Sequence, residues 1–477
     1  MNNKPSRKPR SSDQEYDLAI VGSGSGAFAA AIHARDLGAR VLMVERGMLG
    51  GTCVNVGCVP SKMLLRASET YYQARRHPFA GVETKAGNVN LRALVEQKDA
   101  LVNALRSEKY EDLIDTYGWE IIRGEASFAD ATTLSVGNRA FTAKAYIIAT
   151  GASPTIPGVP GLAEAGYLTS TTALALERVP KSLVVIGSGY IALELGQLFR
   201  HLGCQVTLMQ RGPRLLRDYE PEVAEAVARM LDDEGIEVIT GATIRLIERT
   251  PQGRGVHLAV GGREQVVYAE ELLVAAGRNP NTAALRLERA GVDVDGRGAV
   301  VVDGELRTTN PRIWAAGDVT GGPQFVYVAA HEGTLAADNA AGGAHNKVDL
   351  GAVPSVIFTS PQIASVGLTE ARARAAAYDV KVSVLPLSAV PRALVNHETR
   401  GVFKLVADTS NERILGAHII SENAGEVIYA ATLAVKNKLT VNDLVETFAP
   451  YLTMSEGLKL AAQTFGRDIA HLSCCAS

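Results

Sequence analysis

The chain has 477 residues, of which 47% are hydrophobic and 21% charged, with a formal net charge of -3 at neutral pH. That length exceeds one ordinary hydrophobic core and argues for about three domains, while the near-balanced charge argues against a nucleic-acid partner. No apolar run approaches the roughly 18 residues that would cross a bilayer, and five cysteines in so long a chain cannot form a secreted disulfide framework.

The opening "MNNKPSRKPRSSDQE" has basic residues but no apolar export core. Residues 1–14 are therefore expected to be a disordered tail on a cytoplasmic protein with no membrane association. The segment after it, "YDLAIVGSGSGAFAAAIHARDLGARVLMVERG" from Tyr16 to Gly47, reads as strand, glycine turn, amphipathic helix and second strand. Gly22, Gly24 and Ala27 let the backbone approach a pyrophosphate at the helix N-terminus, and Glu45 ends the second strand where a carboxylate accepts a ribose hydroxyl, which suits FAD or NAD.

The next stretch, "GTCVNVGCVPSK", carries Cys53 and Cys58 with Pro60 placed for a helix start. Lys62, four residues beyond Cys58, falls on the same helix face. A cysteine at a helix N-terminus near a lysine is expected to ionise readily, and the thiolate is both nucleophile and metal ligand. Redox or metal chemistry is the reading, against two buried reduced thiols as the alternative.

A second copy of the nucleotide pattern, "SLVVIGSGYIALELGQLFRHLGCQVTLMQRG", runs from Ser182 to Gly212. One G-x-G-x-x-G/A is a weak signal, but two copies with matching spacing predict two dinucleotide-binding units. Gly187, Gly189 and Ala192 repeat the phosphate turn. The second strand now ends at Gln210, with Arg211, Arg214 and Arg217 close behind, and a neutral side chain among guanidiniums admits the 2′-phosphate of NADPH. Cys204, alone at the start of that strand, reads as a small apolar filler.

"AYIIATGASP", "ELLVAAGRNPN" and "IWAAGDVTGG" each run an apolar strand into a glycine turn where such sheets collect ligands. Asp318 is placed to hold a cofactor hydroxyl, and "QFVYVAAHEGTLAADNA" reads as a helix whose N-terminus favours negative charge on a reduced ring. His331 within it is given no role. From about Val353, alternating strands followed by helices predict a separate α+β domain.

"GGTCVNVGCVPSK" resembles the redox-active disulfide motif of the pyridine nucleotide-disulfide oxidoreductase family, "ATG" and "GDV" its FAD contacts, and the region after Val353 its dimerisation domain, so the resemblance covers nearly the whole chain. It implies an α/β protein with two Rossmann-like dinucleotide-binding domains, for FAD (15–155 and 276–350) and NADPH (156–275). A C-terminal α+β dimerisation domain (351–470) and a mobile cysteine tail (471–477) complete the chain. FAD would be held by Gly22, Gly24, Ala27, Glu45, Gly47, Thr52, Thr150, Gly151 and Asp318, and Gly277 joins the cofactor-binding set. Cys58 would be the thiolate facing the flavin and Cys53 the exchange thiol. Lys62 would lie close to the flavin, paired with Glu194 of "GYIALE".

The family's usual H-P-T-x-x-E acid/base arrangement is replaced here by "APYLTMSEGLK", with Tyr451 at the histidine position and Glu456 retained. A phenol of ordinary pKa near about 10 is a poor proton shuttle at neutral pH. A substrate that needs no proton, a soft metal ion such as Hg(II), meets that condition. The ending "LSCCAS" has Cys474 and Cys475, which are expected to take Hg(II) from small thiols and pass it to Cys53 and Cys58. The ending, Tyr451, and Tyr110 in "SEKYEDLI" together resemble the mercury-reducing branch of the family. By that resemblance Tyr110 and Tyr451 flank the metal path, and in a homodimer Tyr451 and the tail serve the opposite subunit's site. From its sequence context alone, Tyr110 reads as a half-buried helix residue. His471 near the tail is read as a surface residue. Many such relatives carry an N-terminal C-x-x-C metal-binding domain, and none is expected here. The alternatives are a thioredoxin- or glutathione-type disulfide reductase, for which a histidine at position 451 would be required, and a flavoprotein that binds soft metal without turnover.

Overall fold

The computed structural model describes residues 16–468. By packing they form two units: residues up to Asn55 with Leu101–Ser153 and Arg278–Val348, and Val56–Ala100 with Pro154–Gly277 and the chain from Asp349 onward.

In the first unit the apolar run YDLAIV forms the strand Tyr16–Val21, with Leu18, Ala19 and Ile20 fully buried. The sheet order is Glu120–Arg123, Val41–Glu45, Tyr16–Val21, Arg139–Ile148, Thr133–Val136, Ala126–Phe128, and Ile313–Ala315 also pairs with Arg139–Ile148. Tyr16–Val21 is parallel to both neighbours. Strands covered on both faces need apolar residues at every position, which explains their unbroken hydrophobic character. One face packs on the helices Ser25–Asp36 and Val326–Ala341, whose Ala27, Ala30, Ala31, Ala34, Ala336 and Ala337 share a core with Leu18, Ile20 and Met43. The strand order reverses between Tyr16–Val21 and Arg139–Ile148, and the carboxyl ends of such a pair are where open α/β sheets bind ligands.

The second unit contains the repeat. Its parallel sheet runs Glu237–Ile239, Gln205–Met209, Ser182–Ile186, Glu271–Val274. The helix Tyr190–His201 buries Ala192, Leu193, Leu195, Leu198 and Phe199. The helix Cys58–Arg75 contributes Leu64 and Leu65 to the same apolar cluster. An antiparallel meander, Thr243–Thr250, Gly253–Val260 and Arg263–Ala269, comes next in the chain. The α+β region is a five-stranded antiparallel sheet in the order Ser355–Ile357, Gln362–Gly367, Ile414–Ser421, Val402–Asp408, Val380–Pro386. The helices Ala424–Lys436 and Glu456–Gln463 pack on it around Phe403, Leu405 and Ile419. Among the described residues no helix is long and apolar enough to cross a membrane.

Candidate active site

The two glycine turns are built alike. Gly22 and Gly187 have φ of 110° and 129°, a region that L side chains avoid. A Cβ on Gly22 would stand 2.3 Å from Ala149 O, and one on Gly187 would stand 2.2 Å from Ala275 O. In each unit the first strand therefore turns directly against the carbonyl ending its parallel neighbour, and only glycine permits that approach. At the second glycine the space opens: a Cβ on Gly24 would have its nearest neighbour 3.9 Å away at Gly51 Cα, and one on Gly189 would meet nothing within 4 Å. Each turn is thus open at its second glycine, where close approach of a pyrophosphate to the helix N-terminus needs room. Ala27 and Ala192 are fully buried.

In the first unit Glu45 sits at the strand end, where Oε2 accepts from Ser23 Oγ at 2.6 Å and Oε1 from the Gly47 N–H at 2.5 Å. Thr150 Oγ1 donates to Asn281 O at 2.8 Å, Asn281 Nδ2 donates to Thr150 O at 2.9 Å, and the Asn281 N–H reaches Gly151 O at 2.9 Å. This reciprocal clamp fixes the Thr150–Gly151 turn. Burial raises the Asp318 carboxyl above the ordinary range, with the Arg278 guanidinium 3.8 Å away opposing it. Burial also raises Glu332, which accepts from the Gly317 N–H at 2.7 Å; that bond opposes the rise and the neighbouring Asp318 charge adds to it. The Arg278 side chain is 14% exposed and reaches Ala152 O and, at 3.4 Å, Thr52 Oγ1. A shielded cation, a carboxylate and a glycine cradle suit the dinucleotide expected in this unit. Sequence reasoning took Gly277 but passed over Arg278 and Asn281, although both lie in the "AAGRNPN" segment already singled out.

Cys53 lies half-buried in the helix Gly51–Val56. Tyr110 sits on the π-helical turn Ser107–Glu111, edge-on to Phe28 at 4.7 Å between ring centroids. A Cβ on Gly50 would stand 3.2 Å from Tyr110 Cδ2, so Tyr110 lies against the turn that leads into the Cys53 helix.

In the second unit Cys58 is the first residue of the helix Cys58–Arg75 and Pro60 the third. Lys62 Nζ donates to Glu194 Oε1 and Oε2 at 3.0 and 2.8 Å and lies 4.6 Å from the centroid of the Phe358 ring. Glu194 is buried within the second nucleotide helix. After that turn, Arg214 Nη2 donates to Arg217 O and Tyr219 O at 2.6 and 3.1 Å, which leaves Arg211 and Arg217 as the exposed guanidiniums. Gly277 O accepts from the Thr155 N–H at 2.9 Å. Cys204 is buried in the core, and burial pushes its thiol up to about 12, so it is no nucleophile. Tyr451 is 56% exposed. Glu456 opens the helix behind it; burial raises its carboxyl against a hydrogen bond from the Leu452 backbone, and among the described residues its Oε2 has no partner. Cys474, Cys475 and His471 lie outside the described residues, as do residues 1–14.

Residues 16–333 match the family model "Pyridine nucleotide-disulphide oxidoreductase", and residues 353–462 match that family's dimerisation-domain model. The chain is 57% identical over 464 residues to a mercuric reductase of Staphylococcus aureus, covering 97% of this chain and 85% of that one. It is 58% identical over 462 residues to a mercuric reductase of Bacillus cereus, covering 97% and 73%. Among solved structures, the Cu(II) complex of the HOCl-induced flavoprotein disulfide reductase RclA from Escherichia coli superposes with a TM-score of 0.84 at 31% identity, covering 94% of this chain and 99% of that one.

Proposed function

The chain belongs to the pyridine nucleotide-disulphide oxidoreductase family, and from that premise we infer that it acts as a mercuric reductase: NADPH and Hg(II) give NADP⁺, a proton and Hg(0). One observation carries the choice of substrate. In a chain that retains the paired-cysteine motif and the glutamate at 456, the residue at 451 is a tyrosine, 56% exposed, which serves thiol–disulfide proton transfer poorly, whereas a thiophilic cation needs no proton from this position.

Flavin, when bound, supplies two-electron transfer between nicotinamide and the cysteine pair. Gly22, Gly24 and Ala27 would carry its pyrophosphate, Glu45 with Gly47 its ribose, and Thr52, Thr150, Gly151, Lys62 and Asp318 the remainder. Gly187, Gly189 and Ala192 would carry the NADPH pyrophosphate, with Arg211 and Arg217 on its 2′-phosphate and Gly277 and Glu194 lining the approach. Lys62, held by Glu194, would place a cation beside the flavin, favouring its reduced, negatively charged form. Cys58 is the thiolate nearest the electron source and Cys53 the exchange thiol. Both ligate Hg(II) as thiolates, so the metal need not wait on a proton. Cys474 and Cys475 deliver the metal from small thiols, and Tyr110 and Tyr451 line its path. The chain carries a dimerisation domain. The working form is a homodimer in which Tyr451 and the tail act on the opposite subunit's cysteine pair, in the cytoplasm, where thiols stay reduced. For the domain limits we propose those expected from the sequence.

The test is anaerobic NADPH oxidation by the purified yellow protein with Hg(II) and excess small thiol, trapping volatile mercury, beside assays with glutathione disulfide, lipoamide and thioredoxin. Metal-dependent oxidation with Hg(0) release and inert disulfides is expected. Rapid disulfide turnover without Hg(0) would replace this reading with a disulfide reductase, and tight metal binding without NADPH oxidation would replace it with a sequestering flavoprotein.

A further inference from the structure

Arg106 ends the helix Leu91–Arg106 and directly precedes the π-helical turn that bears Tyr110. Its side chain is 23% exposed. Nη1 donates to Asn55 Oδ1 at 3.0 Å and Nη2 to Asn103 Oδ1 at 2.6 Å. Asn55 donates in turn from Nδ2 to Leu49 O at 2.7 Å and Gly51 O at 2.9 Å. On its other side the same short turn is tied to the first nucleotide loop, where the Gly50 N–H donates to Ser23 O at 3.0 Å.

The turn offers the amide two acceptors, Leu49 O and Gly51 O, so Nδ2 faces it and Oδ1 points away. A guanidinium is donor-only and matches that outward Oδ1. Arg106 therefore braces Asn55 against the turn. Arg106 and Tyr110, four residues apart, lie on the same helix face, and both reach the Leu49–Gly51 turn, one through Asn55 and the other by ring contact at Gly50.

We propose that Arg106 is a positioning residue for the exchange thiol, acting through Asn55 to hold the turn from which the Cys53 helix starts in register with Tyr110. This rests on the reading of Cys53 as the exchange thiol.

The experiment uses the FAD-loaded, NADPH-reduced full chain and compares the rate of Cys53 alkylation by iodoacetamide, followed by peptide mass spectrometry, with kcat and KM for Hg(II) supplied with excess small thiol. Arg106→Met keeps the aliphatic stem and removes every donor. It should lower kcat about tenfold with KM little changed, while Cys53 alkylation accelerates about threefold because the turn is looser. Arg106→Lys, which keeps a donor-only cation, should recover most of both. Alkylation unchanged in the methionine variant, whatever its turnover, would overturn the proposal, as would a lysine variant as impaired as the methionine one. Cys53→Ala, measured alongside, separates the premise: turnover surviving there would remove Cys53 from exchange irrespective of Arg106.

Discussion

Lys62 donates to both carboxylate oxygens of Glu194, and Glu194 Oε1 also accepts from the Phe358 N–H at 2.9 Å. The Glu194 side chain is 7% exposed and that of Lys62 34%, so the pair joins the cysteine helix to the second nucleotide helix with its carboxylate side buried. Glu194→Ala should therefore cost about 1–3 kcal/mol of stability, mostly from the stranded Phe358 N–H and the unpaired lysine. It should also slow flavin reduction by NADPH about tenfold through displacement of Lys62. Thermal unfolding and stopped-flow absorbance measure the two effects separately, and a variant slowed without being destabilised would assign Glu194 to the chemistry alone.

The sequential roles given to the two cysteines make opposite spectroscopic demands. Cys58→Ala should abolish the long-wavelength absorbance that a thiolate beside the flavin gives on reduction, whereas Cys53→Ala should preserve it. If the band survived in the Cys58 variant, the order of the two thiols would have to be reversed.

The guanidiniums after the second nucleotide strand divide by geometry. Arg211→Ala combined with Arg217→Ala should raise the KM for NADPH by about tenfold or more while leaving NADH little affected, because a 2′-phosphate loses charge-assisted hydrogen bonds that NADH never makes. Arg214→Ala should instead lower thermal stability, since its guanidinium holds the Arg217 and Tyr219 carbonyls. Steady-state kinetics with both nucleotides distinguishes the two classes.

Legibility in the sequence depends on how local the physical cause is. The paired glycine turns were legible because Gly22 and Gly187 answer a steric demand within a few residues, and the Lys62 face came from helical spacing alone. The meander from Thr243 to Ala269 was not, since strands such as TIRLIERT and REQVVYA are largely exposed and carry no clean apolar alternation. Arg278, Asn281 and Arg106 escaped for another reason: their partners, Asp318, Thr150 and Asn55, stand 40, 131 and 51 positions away in the chain. A polar side chain whose job is set by such a distant partner looks like any surface residue. The two uses of arginine after Gln210 likewise became separable only when Arg214 was seen to hold backbone carbonyls.

Lys404, 1% exposed, bonds to Glu220, Glu222 and Glu370 at 2.9–3.0 Å. Burial pulls its ammonium down, but the three carboxylate bonds outweigh this and leave it above an ordinary lysine, while Lys404 and Arg374 hold Glu370 below the usual carboxylate range. A raised cation contributes stability below its unfolded pKa and loses it as pH rises past the folded value. A lowered acid contributes above its unfolded pKa and loses it as pH falls through the folded value. The cluster therefore stabilises throughout the neutral window. Lys404→Met should cost about 3–5 kcal/mol near pH 8, because Glu220 stays buried beside only His418, 3.7 Å away, whose imidazole burial keeps from protonating. It should cost less near pH 5, where protonation relieves the uncompensated carboxylates. Thermal unfolding at the two pH values checks the sign, and an equal loss at both would mean that packing rather than charge sets the cost.

Hg(II) in a reducing compartment travels as a thiol complex, and a dithiol displaces such carriers by exchange, one sulfur at a time. A pair of adjacent cysteines can therefore strip the metal from such carriers and surrender it to a second pair. Cys474→Ala with Cys475→Ala should leave NADPH reduction of the flavin intact, yet reduce turnover about tenfold or more when metal is limiting and small thiol is in excess. With weakly complexed Hg(II) the deficit should shrink, because the cysteine pair at 53 and 58 can then load directly. Turnover unchanged under limiting metal and excess thiol would remove the tail from the mechanism and leave Cys53 to capture the metal from its carriers unaided.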